Sequence, residues 1–353
     1  MNAQSEKVLI LDGISGIPLG REICENLCAL GIDAVRFDCL KQRKRPLHEI
    51  RSAYAKLKHK QSERDGFYYF PAFAPAKLEA LVSRERPGRI LVVGFAYKFF
   101  DPMHLRNISD KYKARLFLYD TDSCNLYAKR REFIYFLEYE LPVYERVFSF
   151  SQVVTHFLRE TRKLDAAHLP YGAPIVPSMP AREKTIDVLF VGSCDLRRIF
   201  LLEKIRDHVF IRGNRWQRNF PLISEKLQSR IVDHAAWGDE LQTLLASAKI
   251  VLNIARTDFY GNETGINLRL FEAVAAGCFL LTDYCDEVVD LFEVGEEIEV
   301  FRSSRELAEK VHYYLGHDAE RLAIARRGNE RFLASHTWPA RIEQLISLMN
   351  ISA

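Results

Sequence analysis

Apolar runs of four to six residues alternate with stretches of helical periodicity along the chain, and most runs end in a turn rich in glycine or aspartate. Residues 7–11 (KVLIL) form the first run, followed by the turn DGISG, an amphipathic segment over 19–30, a stop at Gly31 and a second run over 34–37. Runs over 89–94 (RILVVG), 115–119 (RLFLY), 146–150 and 167–169 continue the series, with helical patterns at 103–112, 133–141 and 152–162 between them. Continuous apolar runs separated by helices predict parallel strands covered on both faces, an α/β architecture. After a proline-rich stretch the alternation restarts: strands at 187–191, 209–212, 250–254, 278–281 and 297–301, with helices at 196–208, 240–248, 303 onward, 318–334 and after Thr337.

This restart divides the chain. Residues 1–173 are expected to form an N-terminal Rossmann-like domain, 174–184 a linker, and 185–335 a C-terminal Rossmann-like domain. The last helix, 336–353, is expected to pack back on the first domain. Two doubly wound domains facing across a cleft suit 353 residues, more than a single core usually organises.

Composition alters this picture little. The chain is 48% apolar and 27% charged, so ordinary cores can form. A formal charge of +3 argues against nucleic acid as the main partner. The seven cysteines are odd in number, scattered and without a CxxC pair, which fits reduced thiols. The N-terminus MNAQSEKVLILDG has no signal-peptide pattern and no run of about 18 apolar residues occurs, so a cytoplasmic protein is expected. One segment departs from the even balance: residues 41–64 carry nine basic side chains (Lys41, Arg43, Lys44, Arg45, Arg51, Lys56, Lys58, Lys60, Arg64) against two acidic ones. Such a run is usually a solvated helix face; the functional alternative is peripheral association with the inner face of a membrane, or an acidic acceptor. The aromatic cluster over 67–73 that follows is expected to pack in the core.

Candidate chemistry gathers where strands end. The GISG turn after the first strand lacks the GxGxxG spacing of a dinucleotide site. Strand 115–119 ends in Asp120, Thr121 and Asp122, carboxylates at the edge where open α/β sheets bind ligands, though a single such Asp is more often a helix cap or turn former. The richest stretch is 250–281, IVLNIARTDFYGNETGINLRLFEAVAAGCFLL: a strand, a polar loop, a helix starting near 264–266, and a strand. A helix N-terminus opening on a loop favours a diphosphate. Arg256 and Arg269 can add charge to that anion, and Glu272, three residues after Arg269, can accept from sugar hydroxyls; the plain alternative is a surface ion pair between the two.

The string NLRLFEAVAAGCFLLTD, preceded by VLNIAR and followed by DLFEVGEEIEVFRSSRELAEKV, resembles the donor-binding half of GT-B glycosyltransferases, especially the group 1 branch containing CgeB-like spore-maturation proteins. The likeness extends to LFVGSCDLRR and ERFLASHTWPARIEQL, about half the chain. It implies a nucleoside-diphosphate-sugar co-substrate and no further cofactor, with transfer to a glycan, lipid-linked or protein acceptor in cell-surface glycan biosynthesis. Gly192 and Ser193 are then expected near the diphosphate, Gly213 and Asn214 near the base, and Glu272 on the ribose. Arg197, Arg256, Asn262, Thr264, Gly265 and Asn267 complete the donor set. Arg269 would assist the leaving diphosphate, and Asp12 and Asp122 are candidate bases; the DxD spelling of 120–122 falls in the wrong half for a GT-B donor site, so the resemblance implies an acceptor-side role and no metal. The superfamily's retaining members carry a glutamate eight positions before Glu272; here Thr264 holds that place and Glu263 falls one residue early. A GT-B sugar-nucleotide epimerase and a non-catalytic nucleotide-sugar or glycan-binding module are the alternatives.

Overall fold

The computed structural model describes residues 6–14, 16–60, 69–121, 123, 129–176 and 183–351. Asp122, Ser15, Cys124, Phe67, Tyr68, Arg64 and the middle of the linker, 177–182, lie outside the described residues, as do the side chains of Lys56 and Lys60.

The chain divides into two compact units, one of Met1–Pro170 with Arg341–Ala353 and one of Tyr171–Ala340. The first unit runs β1 (Val8–Asp12), α1 (Leu19–Ala29), β2 (Ala34–Asp38), α2 (His48–Lys60), α3 (Pro75–Glu85), β3 (Arg89–Val93), α4 (Pro102–Lys111), β4 (Arg115–Asp120), α5 (Arg130–Tyr135), β5 (Arg146–Ser149), α6 (Gln152–Arg162) and β6 (Ala166–His168). Its strands form one parallel sheet in the order β2-β1-β3-β4-β5-β6. Every residue of β1 and β3 is buried, because helices cover both faces. Phe73, from the aromatic cluster, packs in this core against Phe37, Phe99 and Phe100. Glu140 is wholly buried and holds the turn after β3 by accepting from the N–H groups of Ala96 and Tyr97, at 2.7 and 2.9 Å, and from the Tyr144 hydroxyl.

The second unit runs β7 (Ile186–Val191), α7 (Leu196–Glu203), β8 (Val209–Arg212), α8 (Glu225–Gln228), β9 (Ile231–Val232), α9 (Gly238–Ser247), β10 (Ala248–Asn253), α10 (Thr257–Tyr260), α11 (Leu268–Ala275), β11 (Phe279–Asp283), α12 (Asp286–Leu291), β12 (Glu299–Phe301), α13 (Ser304–Gly316) and α14 (Asp318–Ser335). Its sheet is also parallel, in the order β12-β11-β10-β7-β8-β9. Counted from β7, that is the 3-2-1-4-5-6 order of the doubly wound dinucleotide-binding fold.

The final helix, α15 (Trp338–Leu348), carries the chain back to the first unit. Its C-terminal carbonyls have no partners within the helix. Three arginines, each the first residue of a strand, donate to carbonyls at and just beyond the helix's end. Arg89 of β3 donates from Nε to the Met349 carbonyl at 3.1 Å and from Nη2 to that of Asn350. Arg115 of β4 donates to Met349 at 3.2 Å, and Arg146 of β5 to Leu348 at 2.9 Å. Carboxylates of Glu6, Glu145 and Asp165 balance the three charges. The row also opposes the negative end of the helix dipole.

Arg89 is buried, so its loss leaves peptide oxygens without donors. Arg89→Met, which keeps the aliphatic stem, is expected to reduce stability by about 2–4 kcal/mol in urea unfolding.

Candidate functional site

Strand order places the site. In the second unit the chain leaves β7 and β10, which are neighbours, toward opposite sides of the sheet, and the crevice outside their carboxyl ends is where open α/β sheets receive ligands. Gly192 and Ser193 follow β7, Gly213 and Asn214 follow β8, Arg256 lies three residues beyond β10, and Asp283 ends β11. The glycines are required by backbone approach. Gly192 N–H donates to the Arg212 carbonyl at 2.9 Å, and Cys194 N–H to that of Asn214 at 2.9 Å. A Cβ on Gly213 would lie 1.9 Å from the Gly192 oxygen, which already accepts from Trp216 Nε1 at 2.9 Å.

Beneath this edge two consecutive arginines of α7 do different work. Arg198 is buried, and its guanidinium donates to the Ser193 carbonyl at 2.7 Å and twice to the Ile254 carbonyl, at 3.1 and 2.6 Å. It therefore clamps the segment after β7 to the segment after β10, and burial brings its pKa down to about 10. Asp195 caps α7 by accepting from Arg198 N–H at 2.9 Å and reaches Thr257 N–H at 3.2 Å. Arg197 forks onto the buried carboxylate of Asp283, at 2.9 and 2.5 Å, and stacks 3.7 Å from the Tyr260 ring centre. Asp283 also accepts from Ala255 N–H at 2.6 Å; burial pushes its carboxyl up, while Arg197 and that N–H pull it down. The structure thus sets the Arg197 guanidinium against a carboxylate of its own unit.

The β10–β11 connection differs from the expected helix start near 264–266. Residues Thr257–Tyr260 form a helical turn and α11 begins at Leu268, because Asn267 is the cap: its Oδ1 accepts from Leu270 N–H at 3.3 Å. Asn267 also donates to Asn253 Oδ1 at 2.9 Å, and Asn253 to Thr282 at 2.9 Å, so the cap is tied to the ends of two strands. Thr264 is buried with its hydroxyl on the buried carboxylate of Glu287, while Glu263 is exposed with φ +57°. Asn262 donates to the Asp258 carbonyl at 2.6 Å, and a Cβ on Gly265 would meet Cys285 Sγ at 2.8 Å.

Arg269 and Glu272 do pair, with Nη1 2.7 Å from Oε2, yet both side chains are largely withdrawn from solvent, 12% and 14% exposed, so this is no solvated surface pair. The contact is close but poorly aligned for a hydrogen bond. Nε and Nη1 of Arg269 are buried and, among the described residues, have no hydrogen-bond acceptor. Buried guanidinium donors without acceptors favour an anion. Arg256 is exposed at the same edge.

Asp12 belongs to the other unit. Its carboxylate is buried, accepts from Arg36 Nε at 2.7 Å and from Ile14 N–H at 3.3 Å, and lies so close to α1 that a Cβ on Gly20 would fall 2.4 Å from its Cγ. Burial raises its pKa against the pull of Arg36. Asp120 accepts from the N–H and hydroxyl of Ser123, at 2.9 and 2.5 Å. Sequence reasoning missed Arg198, Asp283, Asn253 and Glu287. A signal existed for Asp283, which ends an apolar strand just as Asp120 does; none distinguished Arg198 from Arg197.

Residues 197–347 match a family model described as glycosyl transferase-like. Among solved structures, the Anabaena protein HepE in complex with UDP-glucose aligns with a TM-score of 0.65 and 13% identity over 98% of this chain and 99% of its own. Sucrose-phosphate synthase from Thermosynechococcus elongatus gives 0.64 and 15% over 98% of each chain, and a glycosyltransferase from Rickettsia africae ESF-5 gives 0.62 and 11% over 97% of each. No curated protein matches by sequence. The chain has the GT-B glycosyltransferase fold.

Two substitutions probe this geometry. Gly213→Ala forces the β7 and β8 exits apart and should lower stability by about 2–3 kcal/mol in chemical denaturation. Thr264→Glu, which restores the superfamily's spacing on paper, places a second carboxylate beside buried Glu287; a fall in melting temperature with no gain in activity is expected.

Proposed function

We propose that this protein is a glycosyltransferase that moves a sugar from a nucleoside diphosphate to a hydroxyl of a glycan, lipid-linked or protein acceptor. The observation that carries this reading is the largely buried Arg269–Glu272 pair, whose Arg269 Nε and Nη1 have no hydrogen-bond acceptor among the described residues, at the carboxyl edge of a sheet with dinucleotide-fold strand order. HepE, a neighbour in fold, is described in complex with UDP-glucose, which makes UDP-sugars the first donors to examine. The resemblance of NLRLFEAVAAGCFLLTD to CgeB-like proteins supports placing the chain in that branch.

In this reading Gly192 and Ser193 lie against the diphosphate, Gly213 and Asn214 against the base, and Glu272 accepts from the ribose hydroxyls. As the bond from the anomeric carbon to the diphosphate oxygen breaks and the acceptor oxygen bonds to that carbon, negative charge grows on the leaving group. Arg269 and Arg256 stabilise it electrostatically, with little rearrangement because Arg198 and Asn267 hold their loops. Arg197 acts at one remove, through Asp283 and Tyr260. The acceptor's proton needs a base. Asp12, whose two oxygens accept from Arg36 and Ile14, and Asp122, which lies outside the described residues, are the candidates.

Isothermal titration with UDP, dTDP, GDP and CMP and their sugars tests the donor assignment. One nucleotide class should bind, and Glu272→Ala or Arg269→Ala should weaken it about tenfold or more, roughly 1.4 kcal/mol. Absence of binding or thermal shift with every nucleotide would refute the reading. Isomerised sugar from donor alone would replace it with an epimerase.

A further inference from the structure

Helix α2 exposes the side that a packed helix normally hides. Leu47 just before it, with Ile50, Tyr54 and Leu57 within it, are 64%, 66%, 68% and 66% exposed. At 3.6 residues per turn Ile50, Tyr54 and Leu57 fall within an arc of about 60° and form one apolar stripe, with Leu47 exposed just before it. The opposite face is small and polar: His48 and Ser52 are buried, and the His48 ring lies 3.1 Å from the Phe70 carbonyl oxygen. This reverses the usual rule that a helix packs its apolar face inward. Leu47 moreover holds φ at +57°, a conformation that side-chain-bearing residues seldom adopt and that persists only where the surroundings impose it.

The charges around the stripe indicate what covers it. Arg51 and Lys58 are exposed along one flank, and Lys41 and Arg43 are exposed in the segment leading from β2 into the helix. Glu49 is the acidic residue of the helix, and Lys44 neutralises it at 2.7 Å. Arg51 and Ala53, to either side of the stripe, are exposed too, so the stripe forms a convex ridge. A convex apolar ridge bordered by lysine and arginine complements a surface that is soft, apolar a few ångströms down and negatively charged on top.

We propose that α2 and the basic segment before it dock this protein on an anionic lipid bilayer. Leu47, Ile50, Tyr54 and Leu57 enter the boundary between headgroups and acyl chains, and Lys41, Arg43, Arg51 and Lys58 meet lipid phosphates. Among the described residues no helix is long and apolar enough to cross a membrane, so the attachment is to one leaflet and reversible. The inference is independent of the donor site, which lies in the other unit.

Co-sedimentation of the full chain with vesicles tests it without any assay of transfer. The protein should partition onto phosphatidylcholine vesicles containing about a quarter phosphatidylglycerol and hardly onto phosphatidylcholine alone, with binding falling roughly tenfold between about 0.1 and 0.5 M salt. Ile50→Glu/Leu57→Glu should weaken partitioning at least roughly tenfold with an unchanged unfolding midpoint, since both side chains are exposed; Arg51→Glu/Lys58→Glu should do the same. A Tyr54→Trp variant should show blue-shifted emission only with the anionic vesicles. Failure to bind them, or equal binding by Ile50→Glu/Leu57→Glu, overturns the proposal. Self-association that depends on the stripe, without vesicle binding, assigns the face to a second copy of the chain instead.

Discussion

The buried guanidinium of Arg198 is the contact on which the geometry of the C-terminal unit's ligand edge depends. A charge removed from water survives only if its hydrogen bonds are made, and Arg198 makes them with two carbonyls, one after β7 and one after β10. Those strands flank the point where the connections diverge, and among the described residues no backbone ladder between the two continues past their ends. The clamp takes the ladder's place. It also explains the nearby glycines: with the Ser193 segment held from below, the next strand's exit passes so close that Gly213 has no room for a Cβ.

Adjacent arginines then divide the labour by their counter-charges. Arg197 is matched by Asp283 and stacked on Tyr260, Arg198 is satisfied by peptide oxygens, and Arg269 lies against Glu272 with its buried Nε and Nη1 short of a hydrogen-bond acceptor among the described residues. Only the last arrangement leaves buried guanidinium donors unfilled among the described residues. The position eight residues before Glu272 is likewise decided by burial: Thr264 turns inward to Glu287, and the neighbouring Glu263 is the residue that stays at the surface.

Arginine-to-carbonyl bonding recurs at the opposite edge of the other sheet, where Arg89, Arg115 and Arg146 receive the end of α15. There the guanidinium groups are paired with carboxylates as well, so the row binds peptide oxygens without accumulating net charge. In the basic segment around α2, Lys44 pairs with Glu49 and Lys41 lies 3.9 Å from Asp38, while Arg43, Arg51 and Lys58 are exposed. Their charge is left at the surface beside exposed apolar side chains, a combination with no structural use inside the unit.

Periodicity determined a good deal of this molecule. Continuous apolar runs between helical patterns could only be parallel strands covered on both faces, so the two α/β units and most of their strands are legible in the chain, and so is the stretch around Arg269 and Glu272, where loop, cap and carboxylate are close in sequence. Local pattern could not show which arginine of the Leu196–Glu203 helix would be buried, that Asp283 would take Arg197, or that Thr264 would face Glu287, because each partner comes from another strand or helix. Nor could it show that α2 presents Ile50, Tyr54 and Leu57 outward, since an amphipathic pattern is the same whichever face the fold covers. Strand order, set by which edges find one another in three dimensions, brought the ends of β7 and β10 together, and with them the residues that make a ligand edge out of a sheet.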